Sequence, residues 1–387
     1  MPAMRVHRIL AAVASLVVVA GIAAEPIAVP SAASASPKTV RIAAVGDMVC
    51  SGPPNRGADP TSHDRRYIRG FCQYGKVANL VAKGDYDRFL TLGDLQYYFG
   101  AYRDFQRWYD PSYGRVMRIT MPSPGNHESY TSDARGNPYA GYRKYFGARA
   151  HWKNRLGGSY SYNLGAWHIV SLNSQWCWSY TSVFEGGRWH TVPAWGSGSP
   201  WGCHKGDPMY DWFVRDLQQH QKDCTLVYFH HPSYFGVGNG WPGGADSLLH
   251  GVYSHTRPLY RVFYRNGGDV VLNGHEHYYQ RTVPIDPLGK RDAAHGFTEF
   301  IVGTGGDTLQ PMPPVSKLPK EIAAASNSAF GVLAMTLQPH GYRFRFVPAA
   351  GSPGRWVYSP RRGYKIFKNR TGRGQVDSGT GTCHGAP

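Results

Sequence analysis

Long apolar runs, acidic residues and closely spaced cysteines are all in short supply in this chain. Each shortage removes a class of protein. One uncharged apolar run stands out, at residues 9–24, and its sixteen residues fall short of the ~20 that span a bilayer as a helix. Asp and Glu number 25 against 42 Lys and Arg, and charged residues are only 17% of the chain while hydrophobic residues are 42%. Disordered chains show the opposite balance, so a folded chain is expected. No CxxC pair occurs among the six cysteines, which argues against a thiolate zinc site or a redox dithiol. No period of 20–50 residues repeats, which sets aside solenoids and propellers. The 47 glycines follow no strict period, so collagen is excluded and the glycines read as loops on a folded scaffold.

The N-terminus reads as a targeting segment. Arg5, His7 and Arg8 precede the apolar run, Glu25 closes it, and Ala33-Ser34-Ala35 offers a small-x-small cleavage site. This is the signal-peptide pattern, assigned to residues 1–35. A secreted protein with no membrane span after cleavage is the expectation. An even cysteine count in an exported chain then reads as disulfides, though spacing leaves the pairing open. Cys50–Cys72 and Cys177–Cys203 are the expected pairs because each closes one loop-rich stretch. Cys224–Cys383 would pin the tail.

Short β-rich runs alternate with helical spacing from residue 40 onward. Strands are expected at 40–45, 89–92, 117–121, 225–229, 269–272 and 300–302, with hairpins over 159–172 and 332–347. Helices are expected around 77–82, 101–109, 209–220 and 258–265. This alternation argues an α/β domain with helices outside mixed sheets. One domain is expected over 39–350, because no linker-like stretch divides it. Residues 175–204 read as an insertion and hold Trp176, Trp178, Trp189, Trp195 and Trp201 among Gly, Ser and Pro. This segment is either a substrate-facing aromatic rim or a hydrophobic loop covering a sheet edge. Residues 351–387 read as a basic C-terminal tail, with Arg361, Arg362, Lys365, Lys368, Arg370 and Arg373 against Asp377.

The polar residues carry the functional signal. Expected strands end at Asp47, Asp94, Asn126, His230 and the pair His275/His277. Ligands in open α/β sheets bind beyond the carboxyl ends of strands. Glycine precedes most of these positions, at Gly46, Gly93, Gly125 and Gly274. Any one of these residues alone would be an ordinary cap or turn former. Carboxylates and imidazoles without thiols suit hard or borderline ions such as Fe, Mn or Zn. The set exceeds what one four-coordinate ion needs and suits two bridged ions.

Gly46-Asp47, Gly93-Asp94-Leu95-Gln96-Tyr97, Gly125-Asn126-His127-Glu128, His230 and Gly274-His275-Glu276-His277 resemble the ordered motifs of calcineurin-like metallophosphoesterases. Asp47-Met48-Val49 lacks the Asp-x-His usual in that superfamily, and Tyr97 follows Asp94 by three residues. Both details resemble the purple acid phosphatase branch, although Gln280 stands where Glu is usual in the last motif. The resemblance covers roughly residues 40–350.

It implies a four-layer α/β/β/α sandwich of two mixed sheets with flanking helices. It also implies two metal ions, Fe(III) plus Fe, Zn or Mn(II). Asp47, Tyr97 and His277 would hold one ion, Asp94 would bridge, and Asn126, His230 and His275 would complete the other. A phenolate at Tyr97 would give a purple colour. The implied reaction is hydrolysis of phosphate monoesters by attack of a metal-bound hydroxide. His127 is then the catalytic candidate, hydrogen-bonding or protonating in the transition state. His231 is expected behind the ligands, and His250 is a weaker substrate-facing candidate. Asp307 and Arg281 read as structural, and Gly303-Thr304-Gly305-Gly306 as a tight turn near the site. The branch's large plant members carry an N-terminal β-sandwich domain, and no counterpart of it is expected here. The substrate is a small phosphate ester or an anionic phosphopolymer, which the net charge of +17 would attract. Alternatives are a phosphodiesterase on nucleotides, phospholipids or wall polymers, or a non-catalytic polyanion-binding wall protein. No compact nucleic-acid motif is present.

Overall fold

The structure, a computed structural model, describes residues 39–53, 56–57, 68–69, 72–153, 155–178, 180–193, 203–235, 255–310, 318–350, 355–359, 363–367 and 377–385. The expected signal peptide, His250, Trp195, Trp201 and Arg361, Arg362, Lys368, Arg370 and Arg373 of the tail lie outside them.

The described strands run in chain order. They begin with β1 (Val40–Val45), β2 (Arg56–Gly57), β3 (Ile68–Arg69), β4 (Arg88–Leu92), β5 (Thr120–Ser123), β6 (Tyr160–Leu164) and β7 (Trp167–Ser171). Next come β8 (Tyr180–Glu185), β9 (Arg188–Pro193), β10 (Cys224–Tyr228), β11 (Val270–Asn273), β12 (Tyr279–Thr282) and β13 (Thr298–Val302). The last are β14 (Ile322–Ser326), β15 (Gly331–Gln338), β16 (Gly341–Pro348), β17 (Arg355–Ser359), β18 (Gly363–Phe367) and β19 (Ser378–Thr382). Among them are two large mixed sheets. The first has the order β19-β16-β15-β1-β4-β5 and the second β14-β12-β13-β11-β10-β7-β6. Strands β1, β4 and β5 are parallel, as are β7, β10, β11 and β13, while the flanking strands pair antiparallel. Parallel central strands are buried on both faces and so read as continuous apolar runs. In β1 only Arg41 reaches the surface, and β7 and β10 are buried throughout.

The longer helices present one apolar stripe each. In α1 (Tyr74–Lys83) the buried residues are Tyr74, Val77, Ala78 and Val81, a helical period. A single turn, α2 (Tyr102–Asp104), widens into a π-turn over Phe105–Tyr109, where one helix was expected. Helix α3 (Ala140–Phe146) follows. In α4 (Pro208–Gln219) Met209, Phe213 and Leu217 are buried, and in α5 (Arg257–Arg265) Leu259, Tyr260, Val262 and Phe263 are. Two sheets with helices outside them form the four-layer α/β/β/α sandwich.

Three expectations are corrected. The strand expected at 117–121 begins only at Thr120, because Tyr113–Ile119 coils as a 3₁₀ helix and the Thr120 hydroxyl donates back to the Val116 carbonyl. The insertion holds a hairpin, β8–β9, that its Gly- and Trp-rich sequence hid. The boundary at 350 does not hold for residues 378–382. There β19 is the edge strand of the first sheet, paired antiparallel with β16. Arg281 and the Tyr279 hydroxyl both donate to Asp377 and anchor the residue just before it. The disulfides are Cys50–Cys72, Cys177–Cys203 and Cys224–Cys383, the expected pairs.

Candidate metal centre

The carboxyl ends of β1, β4 and β5 from one sheet meet those of β10 and β11 from the other. Asp47 follows β1 and Asp94 follows β4, both with left-handed backbone (φ 57° and 49°), and His275 after β11 has φ 70°. Non-glycine residues rarely adopt this conformation, and it concentrates at functional sites. Here it turns each side chain back across its strand end. Two glycines permit the close approach. A Cβ on Gly93, itself at φ 82°, would lie 2.5 Å from His230 Nδ1, and one on Gly125 would collide with the Asp94 carboxylate.

All seven candidate ligands converge. The Tyr97 hydroxyl lies 2.9 Å from Asp47 Oδ1, 3.0 Å from Asp94 Oδ2 and 2.9 Å from His277 Nε2. His277 Nε2 is 3.2 Å from Asp47 Oδ1. On the other side, His230 Nε2 lies 3.1 Å from Asp94 Oδ2, 3.1 Å from Asn126 Oδ1 and 3.1 Å from His275 Nδ1. Asp94 Oδ2 therefore touches both groups.

The outer partners of His230, His277, Asn126, Asp47 and Asp94 fix which atom of each faces inward. His230 Nδ1 donates to the Leu92 carbonyl at 2.8 Å and His277 Nδ1 to the Thr308 carbonyl at 2.6 Å. Both Nε2 lone pairs are then turned into the centre, the second-sphere pattern of metal-binding histidines. Asn126 Nδ2 donates to the Tyr130 hydroxyl at 2.7 Å, which leaves Oδ1 inward. Asp47 Oδ2 accepts the His275 backbone N–H and Asp94 Oδ1 that of His127, so one oxygen of each carboxylate remains for the centre. The result is a knot of acceptor atoms about 3 Å apart. Ligands at right angles around an ion, each at about 2.0–2.2 Å, have that spacing. The donor set therefore fits metal ions.

Before a cation binds, the carboxylates favour a proton on Nε2 of His230 and of His277 in place of the lone pair. Burial would lower His230, but Asp94 outweighs it and holds the imidazole up at about 9. Burial would likewise lower His277, and Asp47 holds it at about 10. Burial alone would push the Asp94 carboxyl up, yet His230 and His127 keep it well below the usual carboxylate range. Tyr97 is pushed well up by burial and then by Asp47 and Asp94. Bound cations invert this logic.

His127 is next to Asn126 but stands apart from the knot. Its Nδ1 donates to the Tyr98 carbonyl at 2.6 Å, so Nε2 faces the centre, 3.8 Å from Asp94 Oδ2. His231 is buried behind the ligands, with Nδ1 2.8 Å from the Ser174 hydroxyl and its ring 4.5 Å from that of His275. The Gly303–Gly306 turn backs Asp47, with Gly305 N donating to the Gly46 carbonyl and Asp307 N to that of Asp47.

Sequence reasoning assigned no role to Glu128. It accepts the backbone N–H groups of Leu95 and Gln96 on one oxygen and Gly125 on the other, clamping the Asp94 loop to the Asn126 loop. Burial, with Asp94 nearby, raises it to about 8. An acidic residue immediately after His127 was the available signal. A second buried network was also missed. Asn273 Nδ2 donates to the Phe229 carbonyl, next to His230, and Asn273 Oδ1 accepts from Tyr260 at 2.8 Å. The Tyr260 oxygen also accepts Ser233 N–H and lies 2.5 Å from Glu299 Oε1. One hydroxyl proton cannot serve both Asn273 and Glu299, so the second contact calls for a protonated Glu299. Burial pushes that carboxyl up to about 8, the same conclusion from solvation.

Comparison with known proteins adds an independent line. The family model described as calcineurin-like phosphoesterase matches residues 40–279. Purple acid phosphatase 21 of Arabidopsis thaliana is 26% identical over 240 residues, covering 60% of this chain and 46% of the relative. Purple acid phosphatase 18 of the same plant is 27% identical over 151 residues, covering 36% and 32%. The solved structure of purple acid phosphatase PPD1 from yellow lupin (Lupinus luteus) seeds superposes with a TM-score of 0.55 at 17% identity, over 89% of this chain and 54% of that one. At that identity the superposition speaks for the fold. The chain spans about half the length of the first relative and of the lupin enzyme.

Proposed function

The chain belongs to the calcineurin-like phosphoesterase family and is purple acid phosphatase-like within it; from that premise we propose that it is an exported phosphatase hydrolysing phosphate monoesters at a two-metal centre. The observation that carries the proposal is the convergence of Asp47, Asp94, Tyr97, Asn126, His230, His275 and His277, with the outward N–H groups of Asn126, His230 and His277 turning their acceptor atoms inward. Asp47, Tyr97 and His277 would hold one ion and Asn126, His230 and His275 the other. Asp94 Oδ2, in reach of both groups, would be shared. A phenolate at Tyr97 favours Fe(III) in the first position, because burial between two carboxylates otherwise keeps that hydroxyl protonated. The second ion would be Fe, Zn or Mn(II). Such ions lower the pKa of water and polarise phosphoryl oxygens.

The chain supplies the rest. The carbonyl of Tyr98 fixes the His127 tautomer and aims Nε2 at the space beside Asp94. With Nδ1 already donating to Tyr98, Nε2 can donate only in the imidazolium, a form that burial disfavours and Asp94 favours. In that form His127 is the proposed proton or hydrogen-bond donor to the leaving oxygen. Glu128 keeps the two ligand loops in register. Export is supported by the three disulfides and by the basic and apolar N-terminal pattern. Among the described residues no helix is long and apolar enough to cross a membrane.

The test is metal analysis of purified protein with rates on glycerol phosphate and on a bis-aryl diester. Two metal equivalents including iron, with the monoester preferred, are expected. A preferred diester would replace the proposal with a phosphodiesterase. Bound metal without turnover would leave a polyanion-binding protein.

A further inference from the structure

The hairpin β8–β9 stands in a loop closed by Cys177–Cys203. A lone two-stranded hairpin is marginal in water, so its docking contacts matter. The Thr181 hydroxyl lies 2.5 Å from that of Ser129, on the turn that carries His127, and Val183 is buried. Phe184 stacks on Phe99 with ring centres 4.4 Å apart and planes 9° apart. These contacts seat the hairpin beside the metal centre.

That seating carries Trp189 to a particular place. Its ring is 4.9 Å from Tyr130, 5.2 Å from Phe184 and 5.9 Å from Phe99, yet the residue is 45% exposed. Among the described residues only Trp189 and Leu288 are large hydrophobics left this open. Three ring contacts hold Trp189 in one position, so it is an exposed surface already ordered for stacking. Tyr130 connects it inward. The Tyr130 ring is 4.7 Å from that of His127, and its hydroxyl accepts from Asn126. Tyr98 meets His127 edge-on at 4.6 Å and lies beside Tyr130, with those two ring centres 6.3 Å apart. Aromatic rings thus frame His127 and continue outward to solvent.

We propose that Tyr98, Tyr130 and Trp189 form a stacking wall on the leaving-group side of the centre, selecting phosphate esters whose leaving group carries a planar aromatic ring. The proposal rests on the reading of His127 as the group facing the leaving oxygen. With phosphorus at the metal centre and the leaving oxygen at His127, whatever that oxygen carries departs along these rings. A flat π-face fits there, and a small polyol gains little from it. Aryl esters and nucleoside monophosphates share the recognising chemistry.

The experiment measures kcat/KM on phenyl phosphate, a nucleoside 5′-monophosphate and glycerol phosphate for the wild type, Trp189→Ala and Trp189→Phe. The ring-to-glycerol ratio should fall about tenfold in Trp189→Ala, the loss expected on removing one stacking aromatic side chain. Trp189→Phe should keep most of it. The ring-bearing ester that loses more identifies the better occupant. An unchanged ratio, whether every rate falls together or none does, overturns the wall. Calorimetric titration of the metal-loaded protein with phenylphosphonate gives a readout that needs no turnover. Binding weakened by Trp189→Ala in a protein inactive on all three esters would sink the phosphatase reading while keeping the wall. Equal binding by wild type and variant would sink the wall alone.

Discussion

Replacing Glu299 by glutamine should make the fold less sensitive to rising pH. The carboxyl is buried on β13 and its folded-state pKa is raised from 4.5 to about 8. In the unfolded chain it ionises near 4.5; in the folded chain it stays protonated until about 8. Between those values the folded state binds more protons than the unfolded state, so stability falls as pH rises through that window. At about 1.4 kcal/mol per unit, and allowing for partial ionisation at the ends, the loss between pH 5 and pH 8 is about 3–4 kcal/mol. The Glu299→Gln amide can donate to the Tyr260 oxygen as the protonated acid does, and it has no such slope. The assay is denaturant unfolding of both proteins, disulfides intact, at pH 5 and pH 8. Every other titrating group is common to the two, so the difference between them isolates this carboxyl. The variant should gain about 3–4 kcal/mol on the wild type across that interval. A difference that stays constant with pH would show that Glu299 is ionised in the folded state and would refute the proton assignment to the Tyr260 network.

Three further outcomes follow from the centre. Asp94→Asn should lower metal occupancy, measured by elemental analysis, and reduce turnover by orders of magnitude, because an amide bridges cations poorly; normal occupancy and rate would remove Asp94 from the centre. Tyr97→Phe should abolish a visible absorption band if a phenolate binds iron, whereas a colourless, active wild type would leave Tyr97 a packing residue. His127→Ala should retain both metals and reduce kcat by roughly 10²–10⁴-fold, with a smaller loss on nitrophenyl phosphate, whose leaving group departs unaided. Loss of an ion from that variant would make His127 a ligand.

Much of the centre was legible because its residues sit where short apolar runs stop at glycine. Gly46-Asp47, Gly93-Asp94, Gly125-Asn126 and Gly274-His275 each mark a strand end and a close approach in one dipeptide. The alternation of strand and helix pointed to an α/β domain with helices outside mixed sheets, while the four layers came from the family resemblance. What escaped was structure with little apolar signal. Strand β19 reads Ser-Gly-Thr-Gly-Thr, is almost wholly exposed, and is specified by pairing with β16 and by the neighbouring cysteine. Hairpin β8–β9 was masked by flanking Gly, Ser and Pro, although its two-residue Gly186-Gly187 turn, at φ 55° and 78°, sets the register. The roles of Glu128 and Glu299 were illegible because a buried acid looks like any other acid in sequence. Only its neighbours reveal the burial.

The two sheets are chemically unequal. Asp47, Asp94, Tyr97 and Asn126, all oxygen donors, follow strands of the first; His230, His275 and His277, all nitrogen donors, follow strands of the second. Neither half alone offers a complete coordination sphere. The far end of the seam is closed covalently, since Cys224 opens β10 in one sheet and Cys383 follows β19 in the other. In the proposed centre, metal ions at one end and the disulfide at the other would act as two rivets through the same pair of plates. Any change that lets the sheets slide, however remote from the centre, should register first as weakened ion affinity, because that seam is where oxygen must meet nitrogen.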